Sequence, residues 1–600
     1  MRSQAGTLSS HDSDKLRVRM NARHGTQPGK PDTLCAGIEI QPSVFCGVLR
    51  SRAVVIAIAC LWGLWLSETT VAAEKPQIDF IFPAGGMRGT TVSIRPGGKP
   101  GDGPLQVWSD TDLLAVTVSE KGDTASVRIA DNLLPGIYHL RFFNTHGASS
   151  LKSFVVGRLP ESEEKEPNNR LAEANAVPES GGVANGILQE AGDVDTYAIL
   201  LRKGQTVVGS MLAHRELNSP MDATLQLLNP RGTLMEQNDD DHGNDPQVVH
   251  EAREDGIHYL RTFAFPSEPN STIQFSGAAS YVYRLTVSTG PFADHALPMA
   301  IQRQSESRVA LSGWNISETS RSQLISADST TGSMVRVDPE LTQPVFLDVV
   351  DHRTFVEPAG DISATANESA SQQTDLAVPF SMSGVIRRRS EKDRFRVTGR
   401  KDQRVRIRVI ARTRFSLLDP MISVTAEDGR EILTADDIDG ANMDVQTELT
   451  FPSDGVFHFS VTDRFEHGSE RHFYRLTVEE PRPDFTVTAA DNALVKSADQ
   501  PISIPITIDR KDGFLVPLDF RVEGLPEGLV SEPTRSEKDG DSAKAVTLKI
   551  SGATAQGFHG PVKILAAPAS GSMAPRAVTS AVPGTLIGTD RIWLTIPGTP

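Results

Sequence analysis

The sequence predicts an all-β protein, a tandem array of β-sandwich domains, Ig-like and jelly-roll-like, behind an N-terminal signal peptide. Three observations carry that prediction: short runs that alternate apolar and polar residues, turn residues between them at regular intervals, and one long pattern that occurs twice. The alternation starts after Pro76. Thr91-Val92-Ser93-Ile94, Ala125-Ser126-Val127-Arg128-Ile129 and Ile137-Tyr138-His139-Leu140-Arg141-Phe142 each place every second side chain on one face, the period of a half-buried strand. No segment keeps a helical period for more than a few turns. Evenly spaced short strands with Gly, Pro, Asn and Asp between them imply sandwiches or open barrels.

The leader comes first along the chain. Arg50 and Arg52 precede the apolar run Ala53–Leu66, and Val71-Ala72-Ala73 offers small residues for cleavage. Fourteen residues suit the core of a signal peptide, whereas a spanning helix needs roughly 20. The segment before the run is long, so translation from Met20 and an uncleaved anchor are the alternatives. Cys35, Cys46 and Cys60 all precede the cut. The mature chain therefore has no disulfide, no thiol chemistry and no Cys-ligated metal, and its domains hold together by core burial.

Charge narrows the partners. The 600 residues carry a formal charge of −16, and residues 1–73 contribute eight Lys/Arg against five Asp/Glu, so the remainder stands near −19. An acidic surface excludes duplex nucleic acid as the natural ligand.

A long repeat organises the rest of the chain. Asp193-Val194-Asp195-Thr196-Tyr197 with Arg202-Lys203-Gly204-Gln205 returns as Glu391-Lys392-Asp393-Arg394-Phe395 with Arg400-Lys401-Asp402-Gln403. Asp222 and Asp419, the turns at Gly232 and Gly429, the acidic pairs Asp239-Asp240 and Asp436-Asp437, and Asp255-Gly256 and Asp454-Gly455 come next, in the same order. Both copies close on Tyr-Arg-Leu-Thr-Val, at 283–287 and 474–478. A weaker pattern precedes each: Phe82-Pro83 with Arg88, Val92 and Ile94, then Leu297-Pro298 with Arg303, Val309 and Leu311. The chain thus divides into a leader (1–73), a small sandwich (74–158), a larger one (159–290), a short Ig-like domain (291–351), a second larger sandwich (352–480) and a last Ig-like domain (481–600).

The order Glu-Pro-Asn-Asn, Gly-Asp-Val-Asp-Thr-Tyr, Lys-Gly-Gln, acidic turn, Asp-Gly, Tyr-Arg-Leu-Thr-Val resembles the bacterial pre-peptidase C-terminal (PPC) domain. The likeness covers about 160–289 well and about 366–480 less fully, and residues 76–157 resemble an IPT/TIG domain. It implies small jelly-roll-like sandwiches of the kind appended to secreted peptidases. Such domains are accessories, so the family name implies no activity.

The resemblance also implies a metal site. Collagenase modules of this type bind calcium through acidic and Asn side chains of the linker together with acids on the following strand. Carried over, the residues are Glu164, Glu166, Asn168 and Asn169, with Asp193 and Asp195 opposite. Carboxylate and amide oxygens are what Ca2+ takes. The competing reading is a solvated linker in which Asn168 or Asn169 caps a turn. The second copy reads Ala366-Asn367-Glu368-Ser369, with a single acid, and is expected to have lost the site.

A basic stripe marks the second copy. Residues 387–414 hold thirteen Lys/Arg against three acids, and Arg404, Arg406 and Arg408 alternate with Val405, Ile407 and Val409. A strand there puts three guanidinium groups on one face about 7 Å apart, a spacing that suits a polyanionic polysaccharide. An acidic neighbouring domain is the other partner that fits.

Catalytic patterns are missing from the sequence. His250-Glu251-Ala252-Arg253-Glu254 lacks the second His of a zinc protease, and there is no nucleophile elbow or phosphate loop. The expectation is a non-catalytic exported protein that binds or scaffolds a polysaccharide, a protein or an envelope component, with no membrane span once the leader is cut. The alternative is a secreted hydrolase, a peptidase by family association, whose site is assembled across loops.

Overall fold

A computed structural model describes residues 73–267, 274–329, 332–337, 340–358, 375–440, 442–496, 500–571, 573–582 and 588–597. The leader, its three cysteines and the stretch Ala366–Ser369 lie outside these residues. The alternating runs are strands, and their burial alternates as their side chains do. Ala125–Ile129 buries Ala125, Val127 and Ile129 and exposes Ser126 and Arg128. The patterns at 502–508, 518–522 and 546–550 lie within the strands Ile502–Lys511, Leu518–Glu523 and Ala545–Gly552. Helix is confined to single turns such as His214–Leu217. Among the described residues no helix is long and apolar enough to cross a membrane.

The strands pair into sheets that face each other two by two, each pair closing on one apolar core, which makes the protein a tandem array of sandwiches. The first pair sets the sheet of Gln77–Phe82 and Thr91–Lys99 against that of Gly136–Asn144 and Lys152–Gly157. Ile94, Val127, Phe142 and Phe154 lie between them. The third pair is smaller, three strands on three, with Ile301, Val309, Leu311 and Leu347 inside. The fifth is filled by residues such as Phe485, Ile506, Leu548 and Ile564.

The second and fourth pairs share one topology. In each, the Tyr-Arg-Leu-Thr-Val strand is central: Val282–Ser288 lies between Gly182–Ile187 and Thr206–Leu212, and Phe473–Glu479 between Phe380–Val385 and Arg404–Ile410. In each, a short edge strand runs parallel to its neighbour, Glu161–Glu163 beside Gly182–Ile187 and Arg353–Val356 beside Phe380–Val385. The weaker repeat is also structural, since Gly85–Met87 and Ala300–Gln302 each run parallel to the last long strand of their sandwich.

The sandwiches are locked together. Trp593 of the last is buried against Phe143 and Ala148 of the first, with Trp108 edge-on to it, while Arg141 donates to Asn492 at 2.7 Å. The array therefore returns upon itself. The second, third and fourth sandwiches meet at Arg471, whose guanidinium takes Asp241 in a bidentate pair (2.7 and 2.7 Å) and Asp294 at 2.9 Å. Arg414 and Arg475 of the fourth sandwich both pair with Asp348 of the third.

Candidate functional site

Part of the predicted linker set comes together in space. Parallel pairing of Glu161–Glu163 with Gly182–Ile187 delivers Glu164 to the mouth of the second sandwich, where Ile187 N–H donates to Glu164 Oε1 at 2.7 Å. Asp195 begins the strand Asp195–Leu201 and is fully buried. Glu166 completes a trio whose carboxylate oxygens lie within 4.8 Å of one another. Tyr283 Oη donates to Asp195 Oδ2, and the Tyr197 and Tyr283 hydroxyls are 2.6 Å apart. Gly186 is needed beneath the trio, because a Cβ there would collide with Tyr283 Oη and Glu164 Oε2.

Asn168 joins them by backbone and burial. Its N–H donates to Glu166 Oε2 at 2.9 Å, its carbonyl accepts from Thr196, and its side chain is fully buried with neither amide atom hydrogen-bonded. Asp195 Oδ1 is likewise buried without a partner. Orphaned polar atoms at such depth are uncommon and call for a ligand or water. Asn169 and Asp193 are used locally: Asn169 Oδ1 accepts from Val194 N–H, and the Asp193 carboxylate accepts from Gln189 and Val194. They shape the turn, which is the capping role foreseen for an Asn of this linker.

The electrostatics suit a cation. Burial, then the charges of Glu166 and Asp193, push Glu164 up to about 7. Burial and the neighbouring Glu164 push Asp195 up to about 10. Three carboxylates crowded in a low-dielectric pocket disfavour one another's charged forms, and all three are shifted upward. An all-oxygen donor set of three carboxylates and one amide, with two unpaired atoms, suits a hard cation of the calcium type and would leave several coordination positions to water.

The second copy holds a related cluster that the sequence alignment misplaced. Glu357 N–H donates to Ser383 O as Glu164 N–H does to Asn185 O, so Glu357, which directly follows the parallel edge strand, is the counterpart of Glu164. Buried Asp393 accepts from Tyr474 Oη at 2.7 Å, and burial plus the charge of Glu357 hold its carboxyl well above the usual range. The loss expected from Ala366–Ser369 rests on residues outside the described set, whereas the acid pair itself is present.

The basic stripe is placed differently from a free polyanion surface. Arg404–Ile410 is a strand with Val405, Ile407 and Val409 fully buried, as the alternation required. All three arginines meet carboxylates. Arg404 and Arg406 share Glu448, Arg408 takes Glu479, and Arg406 makes a bidentate pair at 2.9 and 2.7 Å with Asp512 of the last sandwich. Arg406 alone meets the neighbouring domain, while Arg404 and Arg408 pair within their own sandwich.

Two serine–histidine hydrogen bonds occur among the described residues, each 2.8 Å long. Ser381, bonded to His352, is 1% exposed on a central strand and also bonds Thr477. Ser469 and His472 belong to one turn that Ser469 closes on Arg471 N–H.

No protein-family model and no curated protein matches the sequence. Solved structures do. The chain is similar to the pre-peptidase C-terminal domain of collagenase from Bacillus anthracis, at 18% identity over 21% of this chain and 100% of that one, TM-score 0.15. It is also similar to SGBP-B of the Bacteroides ovatus mixed-linkage glucan utilization locus, solved with a mixed-linkage heptasaccharide (8% identity, 66% of this chain and 73% of that one, TM-score 0.12). The N-terminal eight Ig domains of Down Syndrome Cell Adhesion Molecule match at 10% identity, 85% and 74% coverage, TM-score 0.14.

Proposed function

We propose that this chain is a non-catalytic exported binding protein. Its sandwiches form one preassembled body that presents sites for an extracellular polysaccharide, protein or envelope component, and its second sandwich is stabilised by calcium. The observation that carries the calcium reading is the trio Glu164, Glu166 and Asp195 beside a buried Asn168 whose amide has no partner. These residues would hold the ion. When bound, it supplies positive charge that neutralises the trio and fixes the linker to the strand Asp195–Leu201. The binding reading is supported by ion pairs that join the sandwiches to one another, as at Arg471 and Arg406.

The test is co-sedimentation of the full chain with insoluble polysaccharides and with isolated bacterial envelopes, in calcium and in chelator, alongside peptidase and glycosidase assays. Saturable co-sedimentation without turnover is expected. Turnover of peptide or glycan would replace this reading with the hydrolase, and failure to sediment with any of them would end it.

A further inference from the structure

A cleft of about 590 Å³ lies between the first and last sandwiches, away from the acid trio. Its volume is in the range of small-molecule sites, roughly 300–1,000 Å³, and domain junctions are where such sites concentrate. One wall is the half-buried indole of Trp108 on the strand Gln106–Ser109, held edge-on at 6.0 Å by buried Trp593. Beside it, Asp110 accepts from both the backbone N–H and Nδ1 of His139, at 3.0 Å each, which fixes the imidazole. The opposite wall brings Arg576, Thr589, Asp590 and Arg591 from the last sandwich.

These groups have a definite chemistry. A planar aromatic surface beside fixed carboxylate, imidazole, hydroxyl and guanidinium groups offers an apolar face and converging donors and acceptors, the pairing that a sugar ring presents in return. The charges cancel, Asp110 and Asp590 against Arg576 and Arg591, and Arg576 already pairs with Asp484 at 2.6 Å. A phosphate or polyanion gains nothing from such a lining, whereas a neutral polyol does. Trp108 and His139 lie on strands, and the two sandwiches are joined by the Trp593 contact and the Arg141–Asn492 bond, so the aromatic wall is preorganised for binding.

We propose that this cleft binds a short neutral oligosaccharide, an inference that rests on the polymer-binding reading above and names its site. Trp108 supplies the stacking surface, and Asp110 with His139 supplies hydrogen bonds to ring hydroxyls.

The experiment titrates the full chain with cellohexaose, xylohexaose, mannohexaose and, as an acidic comparator, hexagalacturonate, by calorimetry and tryptophan fluorescence. At least one neutral hexasaccharide is expected to bind, with Trp108→Ala weakening it about tenfold or more, as truncation of an aromatic anchor does. Asp110→Asn, which keeps the shape, is expected to weaken it several-fold; it keeps the test valid should Trp108→Ala loosen the Trp593 contact. Binding that is unchanged in both variants, binding of hexagalacturonate alone, or no binding of any neutral probe would overturn the site. Should the chain still sediment with polymer in those cases, the general reading survives and only the cleft falls; loss of sedimentation as well would remove both.

Discussion

Proton release on calcium binding is the sharpest consequence of the acid trio. In the ion-free protein Asp195 lies near 10 and Glu164 near 7. At pH 7 Asp195 therefore carries its proton and Glu164 is about half protonated. Calcium takes carboxylates, so binding at pH 7 should release between about one and two protons from these two groups. The apparent affinity then rises with pH, by about tenfold or more per pH unit near neutrality. Calorimetry in buffers of different ionisation enthalpy counts the protons directly, and Asp195→Asn should lower the count by about one. The same shifts fix the ion-free stability. Glu164 has its folded value raised from 4.5 to about 7, so the folded state holds a proton that the unfolded chain has lost. Its contribution is complete below about pH 4.5 and declines as pH rises to about 7, by up to about 3 kcal/mol at roughly 1.36 kcal/mol per pH unit. Calcium at about 100 times its dissociation constant restores roughly 2.7 kcal/mol. An affinity independent of pH, or proton release unchanged by Asp195→Asn, would refute the assignment of the ion to this trio.

Four further outcomes can be checked. Arg471→Met takes the guanidinium from buried Asp241 and Asp294, leaving each with a histidine partner only, and should cost about 3–5 kcal/mol by urea denaturation; a cost below about 1 kcal/mol would show that the clamp is ornamental. Trp593→Ala empties the contact between the first and last sandwiches and should cost about 3–5 kcal/mol, with faster proteolysis between residues 480 and 500. Heparin-like resin should retain the protein and its Arg404→Ser, Arg406→Ser, Arg408→Ser variant equally, because each guanidinium already has a carboxylate; selective loss in the variant would return the stripe to ligand binding. Within that set, Arg404→Ala alone should change stability by less than about 1 kcal/mol, since that pair is largely solvated.

Strand identity was legible because period-two alternation is local. Arg404–Ile410 reads outward, inward, outward in the sequence and is built so. What the arginines face was not legible, since Asp512, the partner of Arg406, lies 106 residues away and reaches it only through the packing of two sandwiches. The acids of the trio were named through the resemblance to the pre-peptidase C-terminal domain, and the structure brings Glu164, Glu166 and Asp195 together. Asp193 and Asn169 misled because the backbone N–H of Val194, next to the strand start, competes for the same oxygens. Glu357 escaped because its place is set by a parallel edge strand, and neither side of that pairing carries a sequence signature. The cleft beside Trp108 required two domains that are contiguous only in space.

The repeated Tyr-Arg-Leu-Thr-Val strand does more than close each larger sandwich. In the second sandwich Arg284 pairs with Glu161 at 2.7 Å and lies against the backbone of the first sandwich, where a Cβ on Gly85 would collide with its Nη1. In the fourth, Arg475 at the same position pairs with Asp348 of the third at 2.6 Å. The residue before each tyrosine behaves alike: Val282 belongs to the core of the first sandwich, and Phe473 packs with Leu297 and Met299 of the third. One strand thus carries a buried tyrosine for the acid cluster and, on its other face, an arginine and an apolar side chain for the preceding small sandwich. The pair, small sandwich plus larger, thus recurs with the same joint. Changing Arg475 to Met should loosen the third sandwich from the fourth while leaving Tyr474 on Asp393. A variant that instead lost the Tyr474 contact would place the arginine within its own sandwich's core and undo this account.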